Sequence, residues 1–145
     1  MPKILIDTDA YIDFLKTGRF NDVISGLYTF RTPDIHFSSV VAEELLQGAK
    51  DGTGRRQAEA LYRPFQKTNR FVSPDTMDWL LTGHVLSKIR EKNPGDRNRL
   101  SLLVNDTLIA MTARHVGAIV YTSNRKDFEL IAQVQPFHFQ IIREK

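Results

Sequence analysis

Residues 105–128, NDTLIAMTARHVGAIVYTSNRKDF, decide how the rest of the chain is read. Leu108, Ile109, Met111, Thr112 and Val116 recur at helical spacing and share one side, so the first half reads as a helix with a buried face. Gly117 is its expected stop, because a helix often closes on a left-handed residue that glycine adopts cheaply. The apolar run 118–121 reads as a buried strand, and Thr122-Ser123-Asn124 as the loop leaving it. An acid stands near each end of this unit: Asp106 early in the helix and Asp127 past the loop. Taken singly, Asp106 reads as an exposed acid favoured by a helix dipole, and Asp127 as an exposed loop acid. A helix–turn–strand–loop unit can also bring the two together.

Working outward, residues 3–6 form a short apolar strand that runs directly into Asp7-Thr8-Asp9. A helix follows, with Tyr11, Ile12, Phe14 and Leu15 inward and Thr8 or Asp9 as its cap. Gly18 breaks it, residues 20–28 read as a second helix, and Ile35-His36-Phe37 as a second strand. Residues 38–49, SSVVAEELLQGA, are a helix capped by Ser38 or Ser39 and carrying Val40, Val41, Leu45 and Leu46. Residues 51–54 read as a loop, 55–66 as helix, and Phe71-Val72 as a short strand. Asp75 starts a helix to about Arg90, with Trp79, Leu80, Val85, Leu86 and Ile89 inward. Residues 93–95 are a turn, Leu100 opens the long helix, and residues 137–142 alternate like a final strand. Strands alternating with helices predict an α/β fold with a mainly parallel central sheet flanked by helices. No repeat or linker interrupts residues 1–145, so one domain is expected.

Composition narrows the chemistry. With 145 residues, 41% hydrophobic and 26% charged, the chain suits an ordinary globular domain. It has no cysteine, which excludes disulfides, thiolate catalysis and cysteine zinc sites. The four histidines, His36, His84, His115 and His138, lie far apart without metal-ligand spacing. No apolar run reaches membrane-spanning length, nor does the start resemble a secretory leader, so a cytoplasmic protein is expected. The formal charge is +3 and the pI about 9.3. Positive charge gathers over residues 50–70, with Arg55 and Arg56, and over residues 88–99, with Lys88, Arg90, Arg97 and Arg99. Such patches suit a polyanion and equally suit a solvated helix face.

The acids are the informative feature. Asp7 ends the first strand, Glu44 lies in the helix after the second, Asp106 lies in the long helix, and Asp127 follows the strand after it. In open α/β sheets ligands bind beyond the carboxyl ends of the strands, and all four acids can face that edge. Thr8, Asp9, Thr122 and Asn124 stand beside them as further oxygen ligands. Two unit charges about 4 Å apart repel by roughly 4 kcal/mol at an effective dielectric near 20. Several such pairs threaten a domain worth about 5–15 kcal/mol, so the cluster must take up protons or cations. Oxygen ligands without His or Cys favour magnesium or manganese, and such ions serve phosphodiester hydrolysis.

Four segments together resemble the PIN-domain family, in particular its VapC-like toxins: ILIDTDAYIDFL at 4–15, SSVVAEELLQGA at 38–49, NDTLIAMTA at 105–113 and VYTSNRKDF at 120–128. Their order fits the family from end to end. The resemblance implies that Asp7, Glu44, Asp106 and Asp127 form an acidic metal site, with Glu44 rather than Glu43 because the family's acid precedes the Leu45-Leu46-Gln47-Gly48 pattern. Helical geometry agrees, since Val40, Val41 and Glu44 can share a side. Thr122 and Asn124 match polar positions that line the family's site. The resemblance further implies a Mg²⁺-dependent endoribonuclease, with Mn²⁺ as a substitute, acting on RNA (transfer RNA among the candidates). It implies a homodimer held inactive by a cognate VapB-type antitoxin.

Two alternatives stand beside it. Asp7-Thr8-Asp9 after a strand also resembles haloacid-dehalogenase-like phosphatases, where the first Asp is a nucleophile and the second a general acid. That pattern wants Thr or Val two residues past the second Asp, where this chain has Tyr11. The other alternative is a PIN fold that binds RNA or protein without cutting it.

Overall fold

A computed structural model describes residues 2–143, apart from the Arg97 side chain. The first strand, β1 (Lys3–Ile6), is followed by α1 (Thr8–Thr17) and α2 (Asn21–Phe30). Then come β2 (Ile35–Ser38), α3 (Ser39–Gly48), α4 (Gly52–Tyr62) and β3 (Phe71–Val72). The chain continues through α5 (Thr76–Lys92), α6 (Arg97–Val116), β4 (Ala118–Thr122), α7 (Arg125–Val134) and β5 (Phe139–Ile141).

The five strands form one sheet in the order β3-β2-β1-β4-β5, and every pairing is parallel. Parallel neighbours need a crossover, and each crossover here carries one or two helices. Helices over a parallel sheet shield both faces of its central strands, so these read as unbroken apolar runs. Ile4, Leu5 and Ile6 of β1 accordingly have at most 1% exposure.

On the β2 side the core is aromatic. Phe37 stacks on Tyr11 at 5.2 Å and on Phe65 at 5.9 Å, and meets Tyr62 and Phe71 edge-on or tilted. Tyr11 and Tyr28 share a hydroxyl contact of 2.9 Å, and the Tyr28 hydroxyl donates to the Leu61 carbonyl at 2.7 Å. Side-chain packing therefore secures β3, which pairs through only two residues. On the other side Leu103, Ile109, Ala110, Met111 and Ala113 of α6 are buried with Val120 and Phe128. Among the described residues no helix is long and apolar enough to cross a membrane.

Several local expectations need correction. Asp7 caps α1, rather than Thr8 or Asp9: its side chain accepts from the Thr8 amide. α4 begins at Gly52 with Asp51 as cap, absorbing residues that read as loop. α6 begins at Arg97, so Asp106 lies in the middle of a 20-residue helix, where the dipole gives it no support. Trp79 and Leu80 are 56% and 55% exposed rather than core. Asp75 and Asp78 close a capping box at the start of α5, and Asp78 is turned inward. The inward stripe is therefore Asp78, Thr82, Val85 and Ile89, out of phase with Trp79.

Stability should follow this burial. Phe37→Ala is expected to cost about 3–5 kcal/mol in urea unfolding, and Trp79→Ala to stay within about 0.5–1 kcal/mol. Comparable costs at both positions would contradict the packing described.

Candidate active site

From β1 the chain proceeds to β2 and β3 on one side; it then returns to lay β4 and β5 on the other. The strand order thus reverses between β1 and β4, the point at which open α/β sheets form a crevice beyond the carboxyl ends of the strands. Asp7 and Thr122 sit at its floor. The register pairs Ile6 with Tyr121, and the Asp7 amide donates to the Tyr121 carbonyl at 2.8 Å.

Asp7 is fully buried. One carboxylate oxygen accepts from the Thr8 amide at 2.8 Å and the other from the Thr122 hydroxyl at 2.8 Å. The Thr8 hydroxyl donates to Glu44 Oε1 at 2.7 Å, which ties α3 to the start of α1. Thr122 Oγ1 in turn accepts from the Asn124 amide at 2.9 Å. Asn124 caps α7 and donates from Nδ2 to Asp127 at 3.0 Å and, over a longer 3.5 Å, to Asp106. One hydrogen-bonded path therefore runs from Glu44 through Thr8, Asp7, Thr122 and Asn124 to Asp106 and Asp127. The structure brings together all four acids and the three neutral polar residues read beside them, and Glu43 is exposed.

Two carboxyls carry the electrostatic consequence. Burial raises Asp106 to about 9, and Asp7, Asp9, Asp127 and Glu44 each push it further in the same direction. Burial also raises Asp7 to about 7, with Asp9 adding to the shift while bonds from Thr122 and Thr8 oppose it. Asp9, at the exposed mouth, is raised by lost hydration and by Asp13 and Asp127. Without a cation the crevice holds protons that ordinary carboxyls release.

The basic candidates divide. Arg99 is not on an open face: its Nη2 donates to Asp127 Oδ1 at 3.0 Å. Arg55 and Arg56 are exposed on α4, and Lys88 and Arg90 on α5, with Lys88 3.8 Å from Glu91. The Arg97 side chain lies outside the described residues. A groove of about 360 Å³ opens beside Glu44, lined by Ile12, Leu15, Lys16, Lys50 and Gln57 among others. On the far side a groove of about 450 Å³ is lined by Arg99, Arg125 and Lys126 with Glu129. Sequence reasoning passed over Lys16, Arg125 and Lys126, although the last two directly precede Asp127.

A separate cluster was invisible to spacing. Asp75, Asp78 and His115 bring one ligand atom each within 4.8 Å of the others. The capping box uses one oxygen of each Asp, and the other oxygens lie 3.0 and 3.3 Å from His115 Nδ1. Helix capping and the contacts of the two carboxylates with the His115 ring account for this group. The crevice acids are more widely spread, as mutually repelling groups should be.

Comparison with known proteins fits this geometry. No curated protein matches the sequence. Solved structures match over nearly their whole length: DNA-bound VapBC from Salmonella typhimurium (22% identity, TM-score 0.68, 97% of this chain and 98% of that one). VapBC-1 from nontypeable Haemophilus influenzae matches at 21% identity and TM-score 0.65, over 95% and 96%. FitAcB from Neisseria gonorrhoeae matches at 18% and 0.65, over 97% and 96%. At these identities the likeness is one of fold. The profile of the PIN domain matches residues 4–134, most of the length, and the chain belongs to the PIN-domain family.

Proposed function

We propose that the protein is a metal-dependent endoribonuclease of the VapC-like toxin class, hydrolysing RNA phosphodiester bonds at the crevice of Asp7, Glu44, Asp106 and Asp127. The observation that carries this reading is the raised carboxyls of Asp7 and Asp106, a pair that a cation would relieve. Membership of the PIN family supports a nuclease, and the VapBC-like fold supports a VapB-type antitoxin as partner. We place the whole chain in one such domain, acting as a homodimer in the cytoplasm.

The donor set fits a hard divalent ion, since every side chain on the path offers oxygen or a carboxamide and none offers imidazole or thiolate. Asp7, Glu44 and Asp106 would hold Mg²⁺ or Mn²⁺. Such an ion supplies Lewis-acid activation of water and stabilises charge on the phosphoryl group. Thr122 and the Thr8 amide orient the Asp7 carboxylate, the Thr8 hydroxyl orients Glu44, and Asn124 orients Asp127. Hydrolysis joins a water oxygen to phosphorus and breaks the bond to the 3′-oxygen, leaving a 5′-phosphate and a 3′-hydroxyl. The 2′-hydroxyl takes no part. Lys16 and Lys50 on one flank and Lys126 on the other would hold the backbone on either side of the cut, while Arg125 is paired with Glu129 at 3.0 Å.

The phosphatase alternative loses ground on two observations. Asp7 has both oxygens engaged and no exposure, a poor state for a nucleophile, and the chain is a PIN domain.

Cleavage is tested with purified protein, free of antitoxin, on total and transfer RNA with Mg²⁺, Mn²⁺ or EDTA. Cuts bearing 5′-phosphate are expected with either metal, none with EDTA, and a drop of at least about 100-fold for Asp7→Asn. Cyclic 2′,3′-phosphate ends would rule out the route, and folded protein that binds RNA without cutting would favour a binding module.

A stability measurement tests the electrostatics independently. Folded Asp7 and Asp106 bind protons more tightly than the unfolded chain does, so metal-free stability should fall as pH rises from about 4 and level off above about 9. Asp106→Asn in EDTA at pH 8 should gain on the order of 2 kcal/mol, about 4–8 °C in Tm. The gain should shrink towards pH 5. A variant less stable than the parent at pH 8 would contradict the assignment.

A further inference from the structure

Arg99 occupies an unusual position. It lies in the first turn of α6, where the helix dipole disfavours a cation. Its Nη2 nevertheless reaches Asp127 on α7 at 3.0 Å, 28 residues along the chain, and both side chains are about three-quarters buried. Arg99 Nε is buried without a hydrogen-bond partner, so the side chain gives up hydration that the contact does not fully replace. Asp127 accepts from the Arg99 guanidinium on Oδ1 and from Asn124 on Oδ2, so one of its oxygens already faces a full positive charge. Asp7 and Glu44 accept from neutral donors only, and Asp106 has just the long contact from Asn124.

We propose that Arg99 is a resident cation that claims Asp127, so that the crevice takes one divalent ion, on Asp7, Glu44 and Asp106. The guanidinium sits beside the site, on the wall shared with the Arg125–Lys126 groove, where a second metal would otherwise be drawn by Asp127. It supplies the second positive charge without a second ion. Arginine suits this place because its planar fork binds carboxylate and phosphate alike. This inference rests on the metal-site reading above.

The test is Mn²⁺ stoichiometry on the full-length chain, by calorimetry and by paramagnetic resonance of free ion, for the parent and for Asp7→Asn, Asp127→Asn, Arg99→Met and Arg99→Lys. The parent should bind a single ion, and Asp7→Asn should weaken it by more than about tenfold. Asp127→Asn should keep that ion within about threefold, because Asp127 is not one of its ligands. Arg99→Met should admit a second ion, whereas Arg99→Lys, which keeps the charge, should not. Two ions on the parent, or a loss of more than about tenfold in affinity for Asp127→Asn, overturns the role of Arg99 and leaves the metal site standing. A folded Arg99→Met protein that still binds one ion overturns it too. If Arg99→Met does not fold, the Asp127→Asn result decides. No ion on the parent overturns the metal-site reading, and the inference with it.

Discussion

A carboxylate buried at the end of the sheet's middle strand is the constraint around which this molecule is arranged. Asp7 follows an apolar strand without a spacer, so continuing the ladder to Tyr121 carries it into the interior. Two neutral donors, the Thr8 amide and the Thr122 hydroxyl, meet its oxygens but do not replace the water it loses. Its proton affinity rises as a result. Asp106 repeats the arrangement from the middle of α6, without help from a helix end. Burying two acids within reach of each other works against stability, a strain typical of sites kept for chemistry.

The sheet topology turns that strain into a site. Parallel pairing of β1 with β4 places Asp7 and Thr122 side by side, and reversal of strand order there keeps the crevice free of a crossing connection. Thr8 and Asn124 then act as couplers. Thr8 spends its amide on Asp7 and its hydroxyl on Glu44; Asn124 spends its carboxamide on the cap of α7 and on the two later acids. Each coupler belongs to a helix start, so the turns that launch α1 and α7 also orient the acids.

What could be read from residues alone follows the same physics. Strands ending on acids, and helices between them, are local patterns, and they led to the parallel sheet and to the convergence of Asp7, Glu44, Asp106 and Asp127. Misreadings arose where a distant partner overrides local preference. Trp79 looks like core, yet the buried partner on that turn of α5 is Asp78, held by its capping box and by His115 on another helix. His115 and Asp78 are 37 residues apart, and Arg99 and Asp127 are 28 apart, so no spacing rule links either pair. Asp127 is a different case: it reads as a loop acid, whereas the nearby Asn124 caps α7 from Arg125 and puts Asp127 in that helix's first turn.

Charge placement then limits how a polyanion can approach. The chain is basic overall, but its acids gather in the crevice while its bases spread over helix faces and the two flanking grooves. An RNA phosphate meeting four ionised carboxylates would be repelled, and protons bound by Asp7 and Asp106 lower that repulsion without offering any attraction. On the proposed reading, one divalent ion with Arg99 would leave the four acids a single net negative charge, and Lys16, Lys50 and Lys126 would draw the backbone from both sides. On that reading, the charge state of the crevice sets how a polyanion approaches it.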